Sequence, residues 1–244
     1  MITTRKTALQ KKSTSQQGFT IVELLIATTV FSLVLLVILY GVLSFTHAYY
    51  GGVNRSSTQN SARSIINAVA EGIEFSGSTI VVSHQVSGNG YAFCAGGSTY
   101  YYTVGVMYTG TPSAGNAGLY YVPGTCLSST APNFTNPVTG SRELLNNNMR
   151  VTYFSVAQSP SAARVYTVSL GIAYGYSDLL CSVSGNGSTG GCLGGDGLNS
   201  TTASVVGTSA TDVQCKQVTG SEFCAHAGLS TTVSLRVSNG ALAP

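Results

Sequence analysis

The feature that most constrains this chain is the run from Leu24 to Thr46, which contains no charged side chain. At about 1.5 Å of rise per residue it makes a helix of ~34 Å, enough to cross a hydrocarbon core of ~30 Å. Charge is placed unevenly around it. Arg5, Lys6, Lys11 and Lys12 precede the run, the first acid is Glu23, and the next Lys or Arg is Arg55. The positive-inside rule then puts the start of the chain in the cytoplasm and residues 48–244 outside. From Phe19 onward 7 bases stand against 8 acids, so the net charge of +3 belongs to the segment before it. The remainder has no basic stripe of the kind that holds nucleic-acid phosphates.

Three accounts of the run compete. A cleaved secretory signal has an apolar core of about 7–15 residues followed by a small-x-small site. Here the run is longer, and only Thr46-His47-Ala48 faintly resembles such a site. An uncleaved anchor fits the hydropathy but leaves Glu23 unexplained, because a carboxylate in a membrane helix costs up to ~3 kcal/mol and less near the interface. The third account covers every position. Gly18-Phe19-Thr20-Ile21-Val22-Glu23 resembles the class III signal of type IV pilins and related pseudopilins. The resemblance implies that a prepilin peptidase cuts after Gly18, that Phe19 becomes the methylated N-terminus, and that Glu23, fifth in the mature chain, serves assembly. It also implies the partners: membrane lipid before assembly, an inner-membrane assembly platform, and other pilin subunits met through the N-terminal helix. The location implied is a single-pass inner-membrane protein with its head outside the cytoplasm, and later an extracellular filament. The likeness is strong over residues 1–75 and architectural beyond them.

The apolar run contains Gly41 but no Pro, and helical spacing resumes at Ala62, Ile65, Ile66, Val69, Ala70 and Ile73. These positions form one stripe on one face, with Arg63, Glu71 and Glu74 off it. One helix is expected over residues 19–75. Its middle is weaker: Gly51-Gly52 costs ~1 kcal/mol per Gly relative to Ala, and residues 54–61 are polar throughout. That stretch reads either as an exposed helix or as a hinge. Four segments follow: a cleaved leader 1–18, a transmembrane or filament-core helix 19–47, an amphipathic stem 48–76 and a β-rich head 77–244.

Past residue 78 the chain is rich in Gly, Ser, Thr, Asn and Tyr, with short branched and aromatic runs. Strands are expected at 79–84, 91–95, 99–108, 118–122, 149–157, 164–174, 179–183, 203–206 and 231–237. Runs 149–157 and 164–174 should form a hairpin, with the helix stripe covering the face of Tyr166, Val168, Leu170 and Ile172. The fold class is α+β, a long N-terminal helix packed on an antiparallel β-sheet head with disulfide-stapled loops. All six cysteines (Cys94, Cys126, Cys181, Cys192, Cys215, Cys224) lie in the head, on the exported side, and so read as disulfides. Proximity favours Cys94–Cys126, Cys181–Cys192 and Cys215–Cys224; the rival nests Cys181–Cys224 around Cys192–Cys215. Zinc at Cys224-Ala225-His226 lacks a C-x2-C pair, and calcium at Gly194-Gly195-Asp196-Gly197 has a single carboxylate, so no metal or other cofactor is expected.

Catalysis is not expected either. His47, His84 and His226 are scattered, the head acids are few (Glu143, Asp178, Asp196, Asp212, Glu222), and no serine elbow or phosphate loop occurs. The favoured function is a structural minor subunit of a type IV pilus-like filament. The alternatives are a secretion or competence pseudopilin, and a pilus-tip binding module (an adhesin or DNA-uptake receptor) whose head ligand is unknown. For the last, Tyr100-Tyr101-Tyr102 and Tyr120-Tyr121 could stack on sugars or bases, with core packing the competing role.

Overall fold

The computed structural model describes residues 18–76, 81–87, 90–127, 130–182, 210, 212–216 and 220–236. Residues up to Thr46 form one compact unit and residues from His47 a second. A single helix, α1 (Ile21–Glu74), contributes to both. In the first unit its apolar side chains stand in the open, Leu24 at 60% and Leu36 at 64% exposed. It is the one helix among the described residues long and apolar enough to cross a membrane, and none of its most apolar stretch is buried.

In the second unit the stripe predicted from periodicity is buried: Ala62, Ile65, Ile66, Val69 and Ile73 are at most 5% exposed. The polar stretch before it is helical through Gly51 and Gly52. It is the exposed helix expected, with Arg55, Ser56, Ser57, Gln59 and Asn60 exposed, and it also has contacts to the head. Thr58 is fully buried and bonds back to the Asn54 carbonyl at 2.8 Å. Asn54 Nδ2 donates to the Glu222 carbonyl at 2.8 Å, and Asn146 Nδ2 donates to Ser61 Oγ at 2.9 Å. Hydrogen bonds to the head thus replace the missing apolar face.

The head has two main sheets. The first contains β1 (Val81–Ser87), β2 (Gly90–Ala95), β3 (Ser98–Thr103), β4 (Leu119–Val122) and β5 (Arg142–Glu143), paired in chain order. The second is built on a hairpin of β6 (Met149–Ser159) and β7 (Ala162–Tyr174), turned at Pro160 and Ser161. A short pair follows, β8 (Leu180–Ser182) with β9 (Val213–Cys215), and β10 (Ala225–Ser234) completes the second sheet beside β7. All strand pairs are antiparallel. An isolated parallel bridge, Val104 to Val151, links the two main sheets.

The alternation along β7 has its structural counterpart: Tyr166, Val168, Leu170 and Ile172 are buried in one core with the helix stripe. Aromatic rings fill the space between, Phe93 against Tyr100 with centroids 4.5 Å apart and Tyr102 against Phe154 at 4.9 Å. The triple tyrosine shows period-two geometry. Tyr100 and Tyr102 join the helix-side core, whereas Tyr101 joins a second cluster with Tyr120 and Val122. Gly72 makes room for this: a Cβ there would lie 2.3 Å from the Tyr100 hydroxyl.

Several expected boundaries shift. Strand 99–108 ends as β3 at Thr103, because Gly105 takes φ +80° and the chain crosses toward β6, where the Tyr108 amide donates to the Met149 carbonyl at 2.8 Å. Strand 231–237 begins instead at Ala225, since ten consecutive pairs with β7 impose an extended backbone on residues with little strand propensity of their own. β5 and β9 are too short for sequence patterning to reveal. The expected strand 203–206 lies outside the described residues.

Arg150 is the most deeply buried cation among the described residues. Arg150 is 3% exposed, with Nη1 donating to the Gly105 carbonyl (3.3 Å) and Nη2 to the Gly175 carbonyl (2.8 Å). Burial lowers its pKa, opposed by the charge of Asp178. Arg150→Met should therefore destabilise the head by about 2–4 kcal/mol, because two buried carbonyls lose charged donors. Urea unfolding of the full chain in micelles checks this; a loss below ~0.5 kcal/mol, the size of an ordinary surface substitution, would contradict the role given to Arg150.

Candidate functional site

Gly18, Phe19 and Glu23 lie together at the start of α1, with Phe19 84% exposed. Thr20 is the residue before the first helical position, and its carbonyl accepts the Leu24 amide at 3.2 Å. Glu23 folds back over it. Its Oε2 accepts the Thr20 amide at 3.0 Å and the Thr20 hydroxyl at 2.9 Å, while Thr20 Oγ1 accepts the Glu23 amide at 3.2 Å. This is a capping box: threonine and, three residues on, glutamate satisfy each other's free amides. Its signature is present in the sequence as Thr20-Ile21-Val22-Glu23, overlaid on the cleavage signal that uses the same residues. Glu23 thus has a local partner, and its carboxylate is aimed at the peptide next to Phe19.

Among the cysteines, Cys94 is joined to Cys126 and Cys215 to Cys224, both pairs of the local set. The nested alternative, which needs Cys224 and Cys215 for other partners, is thereby excluded. Cys192 lies outside the described residues, and with it the expected Cys181–Cys192 pair. The first bridge ties β2 to the segment after β4, where Thr99 Oγ1 donates to the Thr125 carbonyl (2.6 Å) and accepts the Leu127 amide (2.7 Å). The second leaves Cys224 without a thiolate for zinc. The glycine-rich loop at Asp196 is outside the described residues. No group of three or more His, Cys, Asp or Glu suited to a metal occurs among the described residues.

The remaining titratable groups serve structure or stand apart. Glu143 is caged by the amides of Gly118, Leu119, Leu144 and Leu145 at 2.5–3.2 Å. Burial pushes its carboxyl above the usual range, against the pull of those four donors. Glu222 meets His47 Nδ1 at 2.6 Å. His84 sits in β1, its side chain outside the described ones. His226 borders a polar cavity in the head. Tyr100, Tyr101, Tyr102 and Tyr120 are at most 5% exposed, so of the tyrosines that could stack on a ligand only Tyr121 is not a core residue. Burial, and secondarily Tyr121, pushes the Tyr100 phenol up to about 12.

Residues 13–39 match the prokaryotic N-terminal methylation motif. The chain therefore carries a type IV pilin-like class III signal, the signal of pilin- and pseudopilin-type subunits. No curated protein and no solved structure matches the chain.

The capping box makes its own prediction. Thr20→Ala in the uncleaved chain removes one side of it, which should weaken the first turn by about 0.5–2 kcal/mol. Hydrogen exchange at the amides of residues 21–24, in micelles, should accelerate by roughly 2–30-fold, the same energy expressed as a rate. Unchanged exchange would mean that Thr20 and Glu23 do not cap the helix.

Proposed function

We propose that this chain is a structural minor subunit of a type IV pilus-like filament. The observation that carries the reading is the methylation motif at residues 13–39 placed on a helix whose apolar face has no cover of its own. Such a surface must lie in lipid or against other helices, and a filament provides the second setting once the subunit leaves the first. Cleavage after Gly18 by prepilin peptidase exposes the Phe19 amine, which is then methylated. The chain remains anchored through residues 19–47, with the head outside the cytoplasm, until the assembly platform passes it into the filament. The large head supports a minor rather than a densely packed major role; a secretion or competence pseudopilin is the nearest alternative. The pilin-type signal supports a subunit that is not an enzyme.

Glu23 is the residue that links chemistry to assembly. Its carboxylate and the new amine lie four residues apart, at the edge of an apolar segment where an unpaired charge is costly. At about 4 Å and an effective dielectric of about 20 their attraction is ~4 kcal/mol before desolvation. The bond from the Thr20 amide to Glu23 supports a carboxylate already turned toward that amine within one chain. In a filament the same carboxylate meets the amine of an incoming subunit and sets its register.

Glu23→Ala should leave membrane insertion intact while incorporation into filaments falls by an order of magnitude or more, as expected for losing ~2 kcal/mol or more of pairing. Glu23→Asp should be intermediate. The measurement is the ratio of the subunit in sheared filaments to that in membranes, in cells that still make the major subunit. An unchanged ratio for Glu23→Ala removes the assembly role.

A further inference from the structure

The head has few charges, and three of its basic side chains meet in one place. A cavity of about 610 Å3 opens between α1, the segment after β9 and the start of β10, and Arg55, Lys216 and His226 line it. Gln214 and Ser221 add neutral polar groups, and the Cys215–Cys224 bridge forms part of the wall. No carboxylate is among its described lining residues. From Ala48 onward the chain has 7 bases and 7 acids, so this local excess is a matter of arrangement and not of composition.

Each basic group has donors to spare. Arg55 is exposed on α1 and has no ion-pair or hydrogen-bond partner among the described residues. Lys216 is 9% exposed, and its Nζ donates to the Asp178 carbonyl at 2.7 Å, which uses one of three protons. His226 Nδ1 is buried and makes no hydrogen bond. A buried polar atom without a partner is uncommon and costs about 1–3 kcal/mol. One competing carboxylate, Glu222, borders the adjoining cavity and is engaged by His47.

We propose that this cavity binds an oxyanion group, a phosphate ester or a carboxylate, held by Arg55 and Lys216 and capped by the imidazolium of His226. An anion supplies what the site lacks: an acceptor for the Arg55 fork, for the remaining Lys216 protons and for His226 Nδ1. In the free protein His226 stays neutral more readily than an ordinary histidine, because burial, and then the charge of Arg55, lower its pKa. Arg55 faces it from α1 and Lys216 from the segment after β9; Ser221, Gln214 and, across the strand pair, Ala173 are uncharged. Among the charged groups around it, Glu222 borders the adjoining cavity, Asp178 meets Lys216 through its carbonyl, Asp212 precedes β9, and Arg150 lies beyond Ala173 on β6. A bound anion reverses the balance and favours the protonated ring, so binding takes up a proton and tightens as pH falls. The site is independent of the assembly reading, since none of its groups lies in residues 1–46.

Titration calorimetry of the full chain in uncharged micelles, at constant ionic strength, tests this with sulfate and acetate. Sulfate keeps its charge across the pH range and stands for a phosphate ester. Sulfate should bind saturably at pH about 5.5 and roughly tenfold more weakly at pH about 8, on either side of the ordinary imidazole value. Arg55→Gln should weaken it by roughly tenfold or more, the loss of one charged hydrogen bond, and His226→Gln should flatten the pH dependence. Arg63→Gln, exposed on the same helix but away from the cavity, should change nothing. The acetate-to-sulfate affinity ratio assigns the source: at or above unity the site takes a carboxylate, below it a phosphate ester. Absence of saturable binding by either ion, or an equal loss in Arg63→Gln, would overturn the proposal.

Discussion

The head depends on one strip of helix. Ile65, Ile66, Val69 and Ile73 are the only branched aliphatic side chains α1 buries among its described residues, and they meet the apolar faces of both main sheets. Burying each contributes about 1.5–3 kcal/mol, so together they match in size the roughly 5–15 kcal/mol by which a whole domain is stable. Tyr100, Tyr102, Phe93, Phe154 and the inner face of β7 are arranged around that strip, and a side chain at Gly72 would collide with Tyr100. The apolar side chains of α1 before Thr46 are exposed. One continuous helix therefore carries two different instructions, one fulfilled within the chain and one left for lipid or another subunit.

The scarcity of charge shapes how the rest is held. With so few ionised side chains, the head uses them on backbone groups more than on each other. Arg150 binds two carbonyls, Glu143 collects four amides, and Lys216 reaches the Asp178 carbonyl. Arg150 and Glu143 each tie irregular segments, which cannot satisfy their own polar groups, to a strand, and Lys216 ties the chain after β9 to the turn before β8. Two described side-chain pairs, His47 with Glu222 and Arg236 with Glu74, join α1 to the last part of the described head. The disulfides act on the same kind of segment, closing the chain after β4 and around β9.

What could be read in the sequence was what has a period. The spacing of Ala62 to Ile73 and the alternation along β7 identified the two faces that pack together, and the signal at Gly18–Glu23 stood out because several independent features coincide there. What could not be read depends on contacts between distant segments. The helix through Asn54, Thr58 and Ser61 is held by Glu222 and Asn146, far along the chain. The first half of β10, Ala-His-Ala-Gly, is a strand because β7 pairs with it. β5 and β9 are too short for any pattern. The convergence of Arg55, Lys216 and His226 is likewise invisible to spacing, since nearly all of the head's sequence separates the first two. The Thr20–Glu23 cap is local in sequence and still goes unread, because the same residues carry the cleavage signal.

The central claim is that the apolar helix is kept and that the chain is cut in front of it. Intact-mass and N-terminal peptide measurement on the subunit from sheared surface filaments tests it most directly. The expected result is a mature chain that begins at Phe19, keeps the apolar helix and carries one added methyl group on its amine. A mature chain beginning near Tyr49, with the apolar helix gone, would contradict it.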